Sequence, residues 1–324
     1  MSAVDATPKR VVVTDLRFEG LHHERAAAER YGASFHEFDC RTADEVVEAL
    51  RGADIVFANL VPISQAALSV MRPGGLVIRY GIGYDSVDLA AAKRLGIRVA
   101  NVPDYGSDTV ADHAAASMLS LLRRLPIYDA AIRREGWVNP DLIRPLPNLS
   151  ASTAGLIGVG RIGFLVARRL QAFGMRILAT DPFADPEMLR DAGIEAVTLD
   201  VLLAQAHGIS LHLPATPDTR HIIGHDAIGC MRPGAMLVNT ARGALVDEAA
   251  LADALRRGHL GGAALDVFDP EPLGAKSPFR TMPNVILTPH AAFYSVQSLE
   301  ALQRLAAEEA GRALAGEPLR SLVA

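Results

Sequence analysis

Cysteine is almost missing from this chain. Cys40 and Cys230 are the only two in 324 residues, they lie far apart, and neither belongs to a CxxC pair. That excludes a disulfide framework and a cysteine zinc site. No apolar run is long enough to cross a bilayer, since the longest uncharged stretch, near Ala114–Leu122, is too short. The opening MSAVDATPKR carries no apolar segment ahead of the first strand-like run, so no secretory leader is expected and a cytoplasmic location is. Basic residues are scattered singly or in pairs and the formal charge is −5, which argues against a nucleic-acid surface and a membrane partner. Low-complexity tracts and internal repeats are lacking as well. His221 and His225 are four apart, but Gly224 and a proline-rich lead-in weaken a helix there, and no acidic motif accompanies them. No metal site is expected. His22-His23 reads as a solvated pair and Asp112-His113 as a helix-wall pair.

What remains is an ordinary globular composition, 50% apolar and 21% charged, long enough for two domains. Short β-rich runs alternate with helix-like segments. In the first hundred residues the strands are expected at Arg10–Thr14, Ser34–Phe38, Asp54–Ala58, Leu76–Arg79 and Arg98–Asn101. Helices are expected between them, at Glu24–Tyr31, Ala43–Arg51, Gln65–Met71 and Leu89–Leu95. Alternation with near-continuous apolar strands marks parallel sheets covered by helices on both faces. A turn, NVPDYGSD, then leads into a long helix capped by Ser107 or Asp108 and running to about Leu125. The stretch from Trp137 to Ser152 holds three prolines and reads as irregular. A second series follows, with strands at Thr153–Gly158, Met175–Thr180, Ala196–Leu199, Gly208–Leu213, Ala235–Thr240, Gly262–Val267 and Asn284–Leu287. One last helix spans roughly Ser295–Ala315.

The second series opens on Gly158-Val159-Gly160-Arg161-Ile162-Gly163, a G-x-G-x-x-G between an apolar strand and a helix. The first glycine permits the tight turn and the second lets a pyrophosphate approach the backbone. The third allows close helix–strand packing, while helix amides attract the phosphate charge. Asp181 closes the next strand, where a carboxylate accepts hydrogen bonds from ribose hydroxyls and repels a 2′-phosphate. NAD is therefore expected over NADP, and Asp181 also reads as a turn former before Pro182.

Three further strand ends carry chemistry. NTARGALVDE puts Arg242 after an apolar strand, ALDVFDPEP puts Asp266 and Glu271 after another, and LTPHAAFYS puts His290 after a third. A parallel sheet delivers such residues to one edge, the edge that faces the cofactor. A guanidinium fork holds an α-carboxylate bidentately. Histidine gives a proton to a carbonyl oxygen as hydride arrives. A glutamate on its other ring nitrogen would fix the tautomer and raise the imidazole pKa.

In this order and spacing, GVGRIG, NTARGALVDE, ALDVFDPEP and LTPHAAFYS resemble the D-isomer-specific 2-hydroxyacid dehydrogenase family over nearly the whole chain. The resemblance implies Arg242 as carboxylate binder, His290 as acid/base and Glu271 as its partner. It implies Asp266 as a cofactor-side residue near the nicotinamide, with Leu213, Pro214, Thr219, Thr240 and Ala241 also along NAD(H). A glutamate at 271 separates the chain from formate dehydrogenases, which carry glutamine there. The implied fold is α/β, with two doubly wound parallel-sheet domains and an active-site cleft between them. The flavodoxin-like substrate domain comprises residues 1–102 and 290–324, and the Rossmann NAD domain, with its dimerisation arm, residues 103–289.

IRYGIGYDSVD resembles the family's substrate loop, in which Gly81, Ile82 and Gly83 offer backbone amides to the carboxylate. Arg79 and Phe293, with TDPF and the tail after His290, resemble the C-terminal-binding-protein branch, where those two positions line the substrate pocket. That branch has tryptophan at the Phe293 position, so its preferred substrate does not carry over directly. Trp137, in REGW, reads as core or interface, and a homodimer is implied by resemblance. Two functions follow. One is an NAD-dependent reductase of glyoxylate, hydroxypyruvate or another small 2-oxo acid, with a phosphorylated substrate disfavoured. The other is an NAD(H)-gated protein-interaction module like the corepressors of that branch.

Overall fold

A computed structural model describes residues 8–15, 18–143 and 145–324. The first seven residues, part of the segment read as lacking a leader, lie outside the described residues. The chain divides into two compact units, one running to Gly106 and resuming at Ser295–Ala324, the other comprising Ser107–Tyr294.

In the first unit β1 (Arg10–Val13), α1 (His22–Arg30), β2 (Ser34–Glu37), α2 (Ala43–Leu50), β3 (Ile55–Ala58), α3 (Gln65–Ser69), β4 (Leu76–Arg79), α4 (Leu89–Leu95) and β5 (Arg98–Ala100) alternate. The five strands are parallel, in the order β2-β1-β3-β4-β5. Alternate residues of β1, β3 and β4 face opposite sides: Val12, Val56 and Val77 enter one apolar cluster, Val11, Val13, Phe57 and Ile78 the other. Burial on both faces is why these strands read as unbroken apolar runs. Helix starts follow from their caps. Thr42 and Glu45 form a reciprocal capping box at α2, and Asp88 accepts the Ala91 amide at α4.

The second unit holds α5 (Ser107–Leu122), α6 (Leu125–Glu135), β6 (Thr153–Ile157), α7 (Arg161–Gln171), β7 (Arg176–Thr180), α8 (Pro186–Asp191), β8 (Ile194–Ala196), α9 (Leu199–Gln205), β9 (Gly208–Leu211), α10 (His225–Cys230), β10 (Met236–Asn239), α11 (Glu248–Arg256), β11 (Gly262–Leu265) and β12 (Val285–Leu287). Its seven strands are parallel, in the order β12-β11-β10-β9-β6-β7-β8. The winding reverses between β1 and β3 in the first sheet and between β6 and β9 in the second. Beyond the carboxyl ends of the strands, such switch points are where open α/β sheets bind ligands.

α12 (Val296–Ala315) returns to the first unit, with Ser295 capping the Ser298 amide and Gly316 ending the helix in the left-handed region. It packs on α1 around a buried polar knot, in which the Tyr80 hydroxyl donates to Glu24 at 2.7 Å and the Gln303 amide donates to it at 3.3 Å. Burial raises the Glu24 carboxyl, more than its hydrogen bonds lower it. On the same helix pair His23 donates to Glu300 at 2.7 Å. His23 is thus a stitch between α1 and α12 rather than half of a solvated pair. The last residues pair along β5, the Val99 amide donating to the Ala324 carbonyl at 2.7 Å.

Four expectations need correction. The long helix stops at Leu122 and restarts as α6, because Arg124 takes φ 57° and Pro126 opens the new helix. Proline lacks the amide a continuing helix needs but suits a first turn. A helix does form at His225, with Gly224 as its N-cap residue and Ile228 buried in the core. His221 lies outside it, at φ 52°, so the two histidines share no helix face. The strand expected at Ala196–Leu199 sits earlier, as β8, since Leu202 and Leu203 draw Leu199–Gln205 into a helix. Finally, the return to the first unit falls at Ser295 rather than 290, because the segment around His290 is tied to the end of β11.

Candidate active site

The glycine-rich turn joins β6 to α7. Gly158 takes φ 90°, and a Cβ there would meet the His212 backbone at 2.9 Å. A Cβ on Gly163 would run into the Gly158 carbonyl. Only glycine lets strand, turn and helix approach so closely. Space lies open beside Gly160, which starts α7 without a side-chain cap, so the turn leaves room for an anion at this helix N-terminus. Asp181 accepts the Val159 amide at 2.8 Å and the Phe183 amide at 2.9 Å. It is both the turn former and a carboxylate at the turn's edge, and each oxygen retains a lone pair for a ribose hydroxyl. The Leu213–Thr219 stretch closes on itself, the Thr219 hydroxyl donating to the Pro214 carbonyl at 2.8 Å. Thr240 buries a hydroxyl that has no hydrogen-bond partner among the described residues, while Ala241 beside it packs against the core. The glycine cradle, the open space at the helix N-terminus and the orphaned hydroxyl fit a dinucleotide.

His212 lies beneath this turn, its Nε2 buried and without a hydrogen bond among the described residues. Burial lowers its imidazole to about 4. An unfolded histidine takes its proton near about 6.5, so between these values the unfolded state holds a proton that the native state does not. Stability is therefore expected to fall as pH drops from about 6.5 to about 4, by about 3 kcal/mol in all. Urea unfolding of wild type and a His212→Leu variant at neutral and acid pH measures this contribution. An equal pH dependence in both would count against it.

Arg242, Glu271 and His290 all stand at the carboxyl edge of the second sheet. Asn239, buried at the end of β10, accepts the Ala241 amide at 3.0 Å and donates to the Arg242 carbonyl at 2.8 Å, which fixes the Arg242 turn. A Cβ on Gly243 would collide with the Phe268–Asp269 peptide, so this turn lies directly against the loop carrying Glu271. Glu271 accepts the Phe268 amide at 3.1 Å and, through its other oxygen, His290 Nδ1 at 2.8 Å. Burial raises the Glu271 carboxyl, but the His290 hydrogen bond and charge, the Phe268 amide and the Arg242 charge together bring it below its ordinary value. Phe293 stands edge-on to His290, with ring centroids 6.4 Å apart.

His290 takes φ 53°, a left-handed conformation that costs on the order of 1–2 kcal/mol outside glycine. Asp266 holds it there. Its backbone carbonyl accepts the His290 amide at 2.8 Å, and its carboxylate accepts the Ala291 amide at 2.8 Å and the Ala292 amide at 2.9 Å. A third donor to that carboxylate is the Thr288 hydroxyl, at 2.5 Å. The Asp266 carboxylate is thus engaged by the protein's own donors, and the residue is 2% exposed.

The remaining expected residues lie in the first unit. Arg79, at the end of β4, folds its guanidinium against Gly81 and donates to the Tyr80 carbonyl. The turn is held through the Ile82 carbonyl, which accepts from Asn101 at 2.7 Å, while Gly83 follows in the same loop. Sequence reasoning missed Thr288, Glu248 and Arg220. Glu248 accepts the Asp269 amide at 2.9 Å and Arg220 pairs with Asp269 at 3.1 Å, both steadying the Glu271 loop. Asp112 and His113 lie on the wall of α5 but take different partners: Asp112 pairs with Arg169 at 2.6 Å, whereas His113 faces Thr288. Trp137 is 86% exposed and no part of this chain's core. Among the described residues no helix is long and apolar enough to cross a membrane.

Residues 115–292 match the profile of the D-isomer specific 2-hydroxyacid dehydrogenase, NAD binding domain. The chain belongs to this dehydrogenase family. NAD is the cofactor of the matched domain. A D-3-phosphoglycerate dehydrogenase of Mycobacterium tuberculosis is 38% identical over 275 residues, 85% of this chain and 52% of that protein. This chain thus spans about half the length of the phosphoglycerate dehydrogenases it matches first. A glycerate dehydrogenase of Methylorubrum extorquens is 37% identical, covering 86% of this chain and 88% of the relative. Among solved structures, D-lactate dehydrogenase from Aquifex aeolicus, complexed with NAD and lactic acid, superposes with a TM-score of 0.85. It is 30% identical, over 95% of this chain and 96% of the other. The family thus has members named for several 2-hydroxy acids, and the corepressor-like branch rests on Arg79, Phe293 and their neighbouring sequence alone.

Proposed function

We propose that this protein reduces a small 2-oxo acid to the D-2-hydroxy acid with NADH, glyoxylate and hydroxypyruvate being the first candidates. The observation that carries the reading is the His290–Glu271 contact of 2.8 Å, beside Arg242 and on the edge of an NAD-binding sheet. Arg242 holds the substrate carboxylate through its guanidinium fork. Because Nδ1 faces Glu271, Nε2 is the nitrogen that meets the substrate carbonyl oxygen. In reduction His290 gives that oxygen a proton, and in oxidation it takes the proton back. Glu271 fixes the tautomer and offsets the imidazolium charge. Bound NADH supplies the hydride to C2. Gly158, Gly160, Gly163 and the start of α7 would hold its pyrophosphate, Asp181 its ribose hydroxyls, and the Thr240 hydroxyl would offer it a further hydrogen bond. In the first unit Arg79, Gly81, Ile82 and Gly83 are the proposed substrate-side residues.

Support for a homodimer comes from the arm around α6, where Leu125, Ile132, Trp137 and Leu142 are exposed on the single chain. The functional test is NADH oxidation at saturating concentrations of a panel of 2-oxo acids, with NADPH in parallel. Turnover with NADH and a preference over NADPH are expected, since Asp181 repels a 2′-phosphate. Tight NADH binding without turnover of any 2-oxo acid would overturn the enzyme reading.

A further inference from the structure

The segment that carries His290 belongs to no strand or helix, and the successive amides of His290, Ala291 and Ala292 all donate to one residue, Asp266. What holds Asp266 is therefore consequential. Its carboxylate takes the Thr288 hydroxyl proton at 2.5 Å. A hydroxyl has one proton to give, so the second contact of Thr288 Oγ1, 3.2 Å from His113 Nε2, must have the imidazole as donor. The donors are thereby set: His113 Nε2–H donates to Thr288, and the Thr288 hydroxyl donates to the Asp266 carboxylate, which also accepts the Ala291 and Ala292 amides, while the His290 amide donates to the Asp266 backbone carbonyl.

We propose that His113 is a positioning residue for His290, acting through Thr288 and Asp266. The proposal rests on the reading of His290 as the proton donor. His113 rides on α5, a 16-residue helix that lies against β10 and β11 and buries Ala114, Met118 and Leu121. Arg169 grips the neighbouring Asp112 at 2.6 Å and Asp108 at 3.0 Å, which fixes the rotation of that helix. The imidazole is a rigidly mounted donor aimed at the end of β12, where the Thr288 amide also bonds the Leu265 carbonyl at 3.1 Å. Removing it frees the Thr288 hydroxyl to turn and takes from Asp266 a donor polarised by its own partner. The loop loses definition where the acid/base needs it, and a displacement of a fraction of an ångström is felt in the chemical step.

The test is steady-state kinetics of His113→Ala, His113→Gln, Thr288→Val and the His113→Ala/Thr288→Val double variant. His113→Ala is expected to lower kcat about ten-fold, with KM for the 2-oxo acid and Kd for NADH unchanged and thermal stability retained. Gln, which offers an N–H near the position of ring Nε2, is expected to restore most of the loss. In the Thr288→Val background, His113→Ala should add little, because the two residues act in series. Wild-type kcat in His113→Ala, independent losses in the double variant, or a fall in NADH affinity equal to that in kcat would each overturn the proposal. A His290→Asn control separates it from the reading beneath it. Full turnover in that control sinks both, whereas its collapse beside an unimpaired His113→Ala sinks the positioning role alone.

Discussion

A His290→Asn variant is expected to lose about a thousand-fold in turnover while binding NADH as tightly as wild type. Asparagine preserves a polar side chain near Glu271 but has no group that exchanges a proton near neutral pH. The backbone tether survives, because the His290 amide and the Ala291 and Ala292 amides reach Asp266 without any side chain at 290. Asparagine also tolerates φ 53° better than most residues. The loss would therefore report chemistry and not an unfolded loop. NADH fluorescence titration and pre-steady-state NADH oxidation make the measurement, and a variant within about ten-fold of wild type would remove His290 from the proton-transfer role. Glu271 adds a pH signature. Its carboxyl is held below the ordinary range, so its charge is present above that range and is lost only as pH falls through the lowered value. A Glu271→Gln variant should lose activity at neutral pH and show a weaker dependence on acid, since glutamine has no charge to surrender.

The second large effect is expected at Arg242. Arg242→Ala should lower kcat/KM for the 2-oxo acid by about a hundred-fold or more, the scale of a lost charge-assisted pair. NADH affinity should stay the same, because the glycine turn and Asp181 are built from β6, α7 and β7, with Asp181 held by the Val159 and Phe183 amides. Arg242→Lys should recover only part of the loss: a lysine is a point charge and cannot form two parallel bonds to a carboxylate. The Asn239 bracket leaves the turn in place in both variants, since it uses the backbone of Ala241 and Arg242. Equal losses for substrates with and without the 2-carboxylate would show that Arg242 serves the fold instead.

The tertiary structure also separates residues that the sequence treats alike. Arg242, Glu271 and His290 each come after an apolar run in the sequence, and parallel strands present their carboxyl ends to one edge. The glycine turn was legible because its close approaches exclude every larger side chain. Strand positions were recovered to within a residue or two wherever both faces are buried, as in β4 and β10, and least well at the edge strand β8, where Glu195 and Ala196 are exposed. The end of α5 lies close to where the sequence puts it, but the restart of the chain as α6 after Arg124 was not legible. It depends on an arginine whose guanidinium finds the Gly261 carbonyl far along the chain.

By itself the sequence determined the alternation, the two-domain length, the dinucleotide turn and the residue types at the strand ends, because periodicity and local turn chemistry are properties of neighbouring residues. Only the tertiary structure decided which partners those residues keep. Asp112 goes to Arg169 and His113 to Thr288, though they are adjacent, since successive helix positions face different directions. Asp266 turns inward to hold the His290 loop for the same reason that any buried carboxylate must: it needs donors, and the fold brings them from residues 288–292.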